Sequence, residues 1–135
     1  MSIERINPPE LAKPSGFSHA VRVTGTTVHL AGQTAMDADG RIVPGDVVVQ
    51  FEQALSNLLT ALRAAGGSPA DLVSLTVYIV DLDDYRGRAP DIGAVWRRLV
   101  GTDYPAMAGI GVHRLWDRDA LVEVQGVAAI TAPAG

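Results

Sequence analysis

The feature that most constrains this chain is one long stripe of apolar residues at helical spacing: Val48, Phe51, Leu55, Leu58, Leu62 and Ala65. Recurrence at three and four places them on one face of an amphipathic helix. Asp46, after Pro44-Gly45, is placed to cap its start, and Gly66-Gly67 to end it. The β-branched run Val47 to Val49 weakens only the first turn. Such a face must be covered, and most of what remains reads as short strands. Phe17 to Val23 and Thr26 to Gly32 alternate as strands, and Thr24-Gly25 between them predicts a hairpin. Asp71 to Asp81 is the clearest strand, with Val73, Leu75, Val77 and Ile79 facing one way and Ser74, Thr76 and Tyr78 the other. A second helix is predicted from Asp91 to Val100, burying Ile92, Val95, Trp96 and Leu99. Strands at Ala106 to Leu115 and Ala120 to Thr131 follow, joined through Trp116 to Asp119. Residues 1–16 read as an extended lead-in.

The order is β-β-α-β-α-β-β. Two helices on one face of a mostly antiparallel sheet make an α+β layer fold. A length of 135 residues sets one domain with one core.

Composition excludes several function classes. The formal net charge is −4, with no basic cluster beyond Arg86-Gly87-Arg88 and Arg97-Arg98, so a phosphate track for nucleic acid is not expected. There is no cysteine, which removes disulfides, thiolate nucleophiles and cysteine-ligated metals and fits a reducing compartment. Met1 to Gly16 has no apolar segment of a signal peptide, and no apolar run has the length of a membrane span. A cytoplasmic protein is expected. His19 and His29 would approach each other across the hairpin, but without an Asp-x-His spacing they make a weak zinc site, and no metal or other cofactor is expected.

The last two strands carry the functional expectation. Ala108, Ile110 and Val112 match Val122, Val124, Ala128 and Ile130 as the face beneath the helices. The opposite face would carry Met107, Gly109, Gly111 and His113 beside Glu123, Gln125, Val127 and Ala129, joined by Ser74, Thr76 and Tyr78. Glycines two apart in a strand give up packing and backbone order, and close approach by another backbone or a ligand is the usual reason. This face therefore meets another subunit, or is a glycine-rich solvated face. His113 would be a proton shuttle or ligand contact, or a histidine at a subunit contact. Glu123 would be a base with a raised pKa or an interface ion pair. Arg114 is expected to pair with Asp117 or Asp119, and Trp96 to lie in the core.

Four segments in order resemble the RidA/YjgF family of reactive-intermediate deaminases: Leu30-Ala31-Gly32-Gln33, Ala64-Ala65-Gly66-Gly67 leading into Leu72 to Tyr85, Tyr104-Pro105-Ala106, and Val122-Glu123-Val124-Gln125-Gly126-Val127-Ala128. The resemblance runs from about residue 16 to residue 131. It implies a chorismate-mutase-like fold and a homotrimer with small-molecule sites in clefts between subunits. It also implies hydrolysis of imines and enamines such as 2-aminoacrylate, with an arginine after the Pro-Ala pair gripping the substrate carboxylate. That position falls on Met107, which cannot bind a carboxylate. The family's glutamate in the final strand falls on Gln125, which orients water but accepts no proton as a base. Its serine before Gly-Gln falls on Ala31, and its tyrosine after the lead-in on Phe17.

The residues leave two functions open. One is an enzyme acting on an imine, enamine or related compound, but poorly on 2-aminoacrylate. Phe17, Ala31 and Met107 would then shape the pocket, while Gln125, Glu123 and a backbone amide near Gly109 would position water. The alternative is a non-catalytic homotrimer binding a metabolite or a protein.

Overall fold

The computed structural model describes residues 3–131. It is mixed α+β, with six strands in two sheets and three helices. Strands β1 (Ile3–Ile6) and β2 (Ala20–Val23) form an antiparallel pair. Strands β3 (Thr26–Gln33), β4 (Leu72–Ile79), β5 (Ala106–Gly111) and β6 (Val122–Ile130) form a second sheet in the order β3-β6-β4-β5. Only the β4–β5 pair is parallel. Helices α1 (Val47–Ala64) and α3 (Ala89–Leu99) pack together on one face of this sheet, with the short α2 (Leu82–Gly87) between β4 and α3.

The long helix forms as its sequence predicts. Asp46 Oδ1 accepts from the Val49 amide at 3.0 Å, and Gly66 closes the end at φ +92°. Phe51, Leu55, Leu58 and Leu62 are fully buried against Leu75, Val77, Ile79, Val122 and Val124 of the sheet. The tertiary structure adds Gln50 to this face. Its side chain donates to the Asp119 carbonyl at 3.0 Å and accepts from the Leu121 amide at 2.8 Å, bracing the turn that leads into β6. Gln50→Leu is expected to strand both backbone groups and to destabilise the fold by about 2–6 kcal/mol, at roughly 1–3 kcal/mol per unsatisfied group. The check is a urea titration, in which an unchanged midpoint refutes the brace.

Four sequence expectations are corrected. The hairpin does not form: β2 pairs with β1, and β3 with β6. The lead-in is therefore not merely extended, because Ile3–Ile6 is the strand that takes β2. The second helix forms where it is predicted, as α3 with Pro90 in its first turn, and only the short α2 ahead of it, capped by Asp81 Oδ1 at the Asp84 amide, is new. A bulge between Leu72 and Ser74 puts Leu72 in the core, where alternation alone had placed Val73.

The fourth correction concerns β5 and matters most for function. In the parallel register Met107, Gly109 and Gly111 stand opposite Leu75, Val77 and Ile79, the buried face of β4. Paired residues share a face. Met107, Gly109 and Gly111 thus face the helices, and Ala108 and Ile110 face outward with Thr76 and Tyr78. The glycines give room to that layer: a Cβ at Gly109 would meet Ile79 Cδ1 at 3.8 Å, and one at Gly111 would meet Leu82 at 3.6 Å.

Candidate functional site

The side chains named from sequence separate into two places. On the helix side, a cleft of about 320 Å³ opens between α3 and the start of β5. This volume is in the range of small-molecule sites. Phe51, Ile92, Trp96 and Met107 give it an apolar floor; Tyr85, Tyr104 and Arg97 bring polar atoms to it, and Ser15-Gly16 close one side. The lead-in is held there by Ser18, whose amide donates to the Pro105 carbonyl at 2.9 Å and whose hydroxyl donates to the Tyr104 carbonyl at 2.6 Å. Ser18 is buried, and nothing in its local sequence marks it.

Trp96 stacks on Tyr104 with ring centroids 6.3 Å apart. Its position in the core agrees with the helical spacing, but its indole N–H is buried without an acceptor among the described residues. Burial pushes the Tyr85 phenol up to about 12, so it stays a neutral donor at physiological pH. The lining contains no aspartate, glutamate or histidine.

On the outer face, Tyr78 donates to Gln125 Oε1 at 3.1 Å. Glu123, opposite Tyr78 on the neighbouring strand, folds over Gly32, where a Cβ would collide with Glu123 Oε2. Ala31 is exposed beside it in the irregular stretch between Leu30 and Gln33. A shallow depression lined by His29, Ser74, Thr76 and Gln125 continues this polar patch.

Within one chain, therefore, Gln125, Glu123 and Ala31 are separated from Met107 and Gly109 by the thickness of the sheet. Phe17 is not in the cleft lining: its ring packs edge-on against His19, with centroids 5.1 Å apart, while the two residues before it reach the cleft. His113 is exposed beyond the end of β5 and so does not share a strand face with Glu123. Arg114 makes no ion pair with Asp117 or Asp119; it donates to the Leu115 and Trp116 carbonyls at 3.2 and 3.4 Å. The His19 ring bonds the Ala12 carbonyl at 2.7 Å, and with no hairpin formed, no ladder brings it to His29. Among the described residues no group of three or more His, Asp or Glu side chains converges as a metal site. No helix among them is long and apolar enough to cross a membrane.

Residues 9–130 match the family model described as Endoribonuclease L-PSP. The chain belongs to this family, the RidA/YjgF family. It is 34% identical to a RutC family protein of Pyrococcus abyssi, over 95% of this chain and 98% of the relative. It is also 34% identical to the 2-iminobutanoate/2-iminopropanoate deaminase of Capra hircus, over 83% of this chain and 78% of the relative. Among solved structures, a Yersinia pestis protein of unknown function from the conserved Rid family, YyfB, superposes with a TM-score of 0.86 at 38% identity, covering 96% of this chain and all of that one. The RidA-type fold expected from the sequence is therefore the fold of the molecule.

Proposed function

We propose that this RidA/YjgF chain binds a small organic molecule in the α3–β5 cleft, that a neighbouring subunit of a homotrimer completes the site, and that the reaction is hydrolysis of an imine or enamine other than 2-aminoacrylate. One observation carries this reading. The apolar half of the site and the polar half lie on opposite faces of one sheet, so both can touch one ligand only if different copies of the chain supply them. The name of the goat relative, an iminobutanoate and iminopropanoate deaminase, supports the reaction class.

In such a hydrolysis, water adds to the carbon of the C=N bond, a proton passes to nitrogen, and ammonia leaves as the carbonyl forms. Gln125, tethered by Tyr78, would hold the water, and Glu123 from the same face would take its proton. Strand β5 lies at the edge of its sheet, so backbone amides near Gly109 face away from β4 and are free to polarise the reacting carbon's substituent. The outward Ala108 and Ile110, the latter 43% exposed, are the apolar residues such a subunit contact would cover. A second reading, a trimer that binds a metabolite without catalysis, is favoured by the absence of any carboxylate or imidazole from the cleft itself. The family description mentions RNA cleavage, but the net charge of −4 and the single arginine of the cleft weigh against RNA as the ligand.

Light scattering is expected to give a trimer mass for the wild type and a lower mass for Ile110→Glu, which would bury a charge at the contact. Imine-dependent ammonia release should fall with the trimer. A wild-type monomer at micromolar concentration overturns the shared site. A trimer with no ammonia release from any imine leaves the binding reading in its place.

A further inference from the structure

We infer that Arg97 is the anion-binding residue of the cleft, and that the site takes an organic carboxylate with an apolar body of about the size of a phenyl ring. This rests on the preceding reading that the cleft is a small-molecule site, and it names what that site selects.

Two independent features of α3 point to it. The first is charge. The neighbouring arginines are neutralised: Arg98 pairs with Glu52, and Arg88 pairs with Asp84 at 2.9 Å and Asp46 at 3.1 Å. Arg97 has neither an ion pair nor a hydrogen bond among the described residues, and it is the only charged side chain lining the cleft. The second is shape. Gly93 lies one turn before Arg97 and also lines the cleft, and a Cβ there would stand 3.1 Å from Arg97 Nη1. The guanidinium lies back along the helix over a position that carries no side chain. Glycine inside a helix is destabilising relative to alanine, and here it makes room for the charged fork.

A guanidinium offers a carboxylate two parallel donors. Beyond it the floor of Phe51, Ile92, Trp96 and Met107 offers an apolar surface. The cation is on the helix rim, not on β5, so the ligand must reach from Arg97 across this floor. A three-carbon acid would leave most of the cleft of about 320 Å³ unfilled, whereas an aryl-substituted acid can place its ring on the floor and its carboxylate at the rim.

The test uses Trp96 as the reporter in a Trp116→Phe background, since Trp116 is 91% exposed and its replacement disturbs no packing. The probes are 3-phenylpropanoate and its neutral amide, followed by fluorescence and, in parallel, by calorimetry. The carboxylate should bind about tenfold tighter than the amide. That is the lower end for a charged hydrogen bond, as suits an exposed rim. Arg97→Gln should abolish the preference and leave amide binding intact, Arg97→Lys should restore part of it, and Arg98→Gln should leave it unchanged. If the wild type binds both probes equally, or if Arg97→Gln keeps the preference, Arg97 is not the anion site although the cleft is still a binding site. If neither probe binds by either method, both this inference and the cleft reading fall.

Discussion

Turnover of 2-aminoacrylate and 2-iminobutanoate by the wild-type protein is expected to be at least about 10- to 150-fold below that of a relative with arginine where this chain has Met107. The figure follows from a charge-assisted hydrogen bond of roughly 1.5–3 kcal/mol and a tenfold rate change per 1.36 kcal/mol. If Gln125 stands where the resemblance puts the family's glutamate, the rate should be lower still, by about a hundredfold. Met107→Arg alone should restore little. The side chain is half-buried beside Phe51 and Trp96, and a second guanidinium there would share the cleft with Arg97. Met107→Arg with Gln125→Glu should recover more than the sum of the single changes, although the two positions lie on opposite faces of the sheet in one chain. Non-additivity between such positions arises only if a neighbouring copy brings them together. The assay is ammonia release from freshly generated imine for the four proteins. Additive effects refute a shared site, and a wild type as fast as the arginine-bearing relative refutes the role given to Met107.

Gly126→Ala should destabilise the fold by about 1–3 kcal/mol, the usual cost of overpacking, and Gly126→Val by more. Gly126 lies in β6, opposite Leu30 of β3 on one side and Leu75 of β4 on the other. A Cβ there would stand 2.9 Å from the Ser74 carbonyl oxygen and 3.1 Å from Leu75 Cδ1. The backbone oxygen cannot swing aside, because Ser74 is fixed in register between Val127 and Ala106. Relief requires β6 to separate from β4 at the bulge, which would also disturb the neighbouring Gln125. Gly87→Ala is the control: its Cβ would meet nothing within 4 Å, and its φ is not positive, so no loss is expected and a gain of up to about 0.4–1 kcal/mol is. Equal denaturation midpoints for the wild type and Gly126→Ala would show that the strands yield more easily than this packing implies.

Much of the scaffold was legible because its signals are local. The Asp46 cap, the Phe51–Leu62 stripe, the alternation in β4 and the buried Trp96 each depend on a few consecutive residues and on periods fixed by the backbone. Ile3–Ile6 was missed because a four-residue strand beside prolines has no period to read, and it exists through its pairing with β2. Gln50, Ser18 and Arg97 were missed as functional positions for a related reason. Their partners or surroundings lie far along the chain, at Leu121, Tyr104 and the β5 cleft, and the sequence around each looks ordinary.

The sequence by itself determined the α+β class, the long helix that organises the core, and family membership carried by short motifs in a fixed order. The tertiary structure alone decided which face of β5 meets the helices. In Ala106-Met107-Ala108-Gly109-Ile110-Gly111 both sets of alternate residues are small or apolar, so alternation fits either face. The choice was made by the parallel register with β4, which sets Met107 opposite Leu75. A one-residue slip in register inverts every side chain of a strand. Met107 therefore stands in the cleft with Arg97, and Gln125 and Glu123 stand behind the sheet, because a neighbour more than 25 residues away in the chain fixes the pairing.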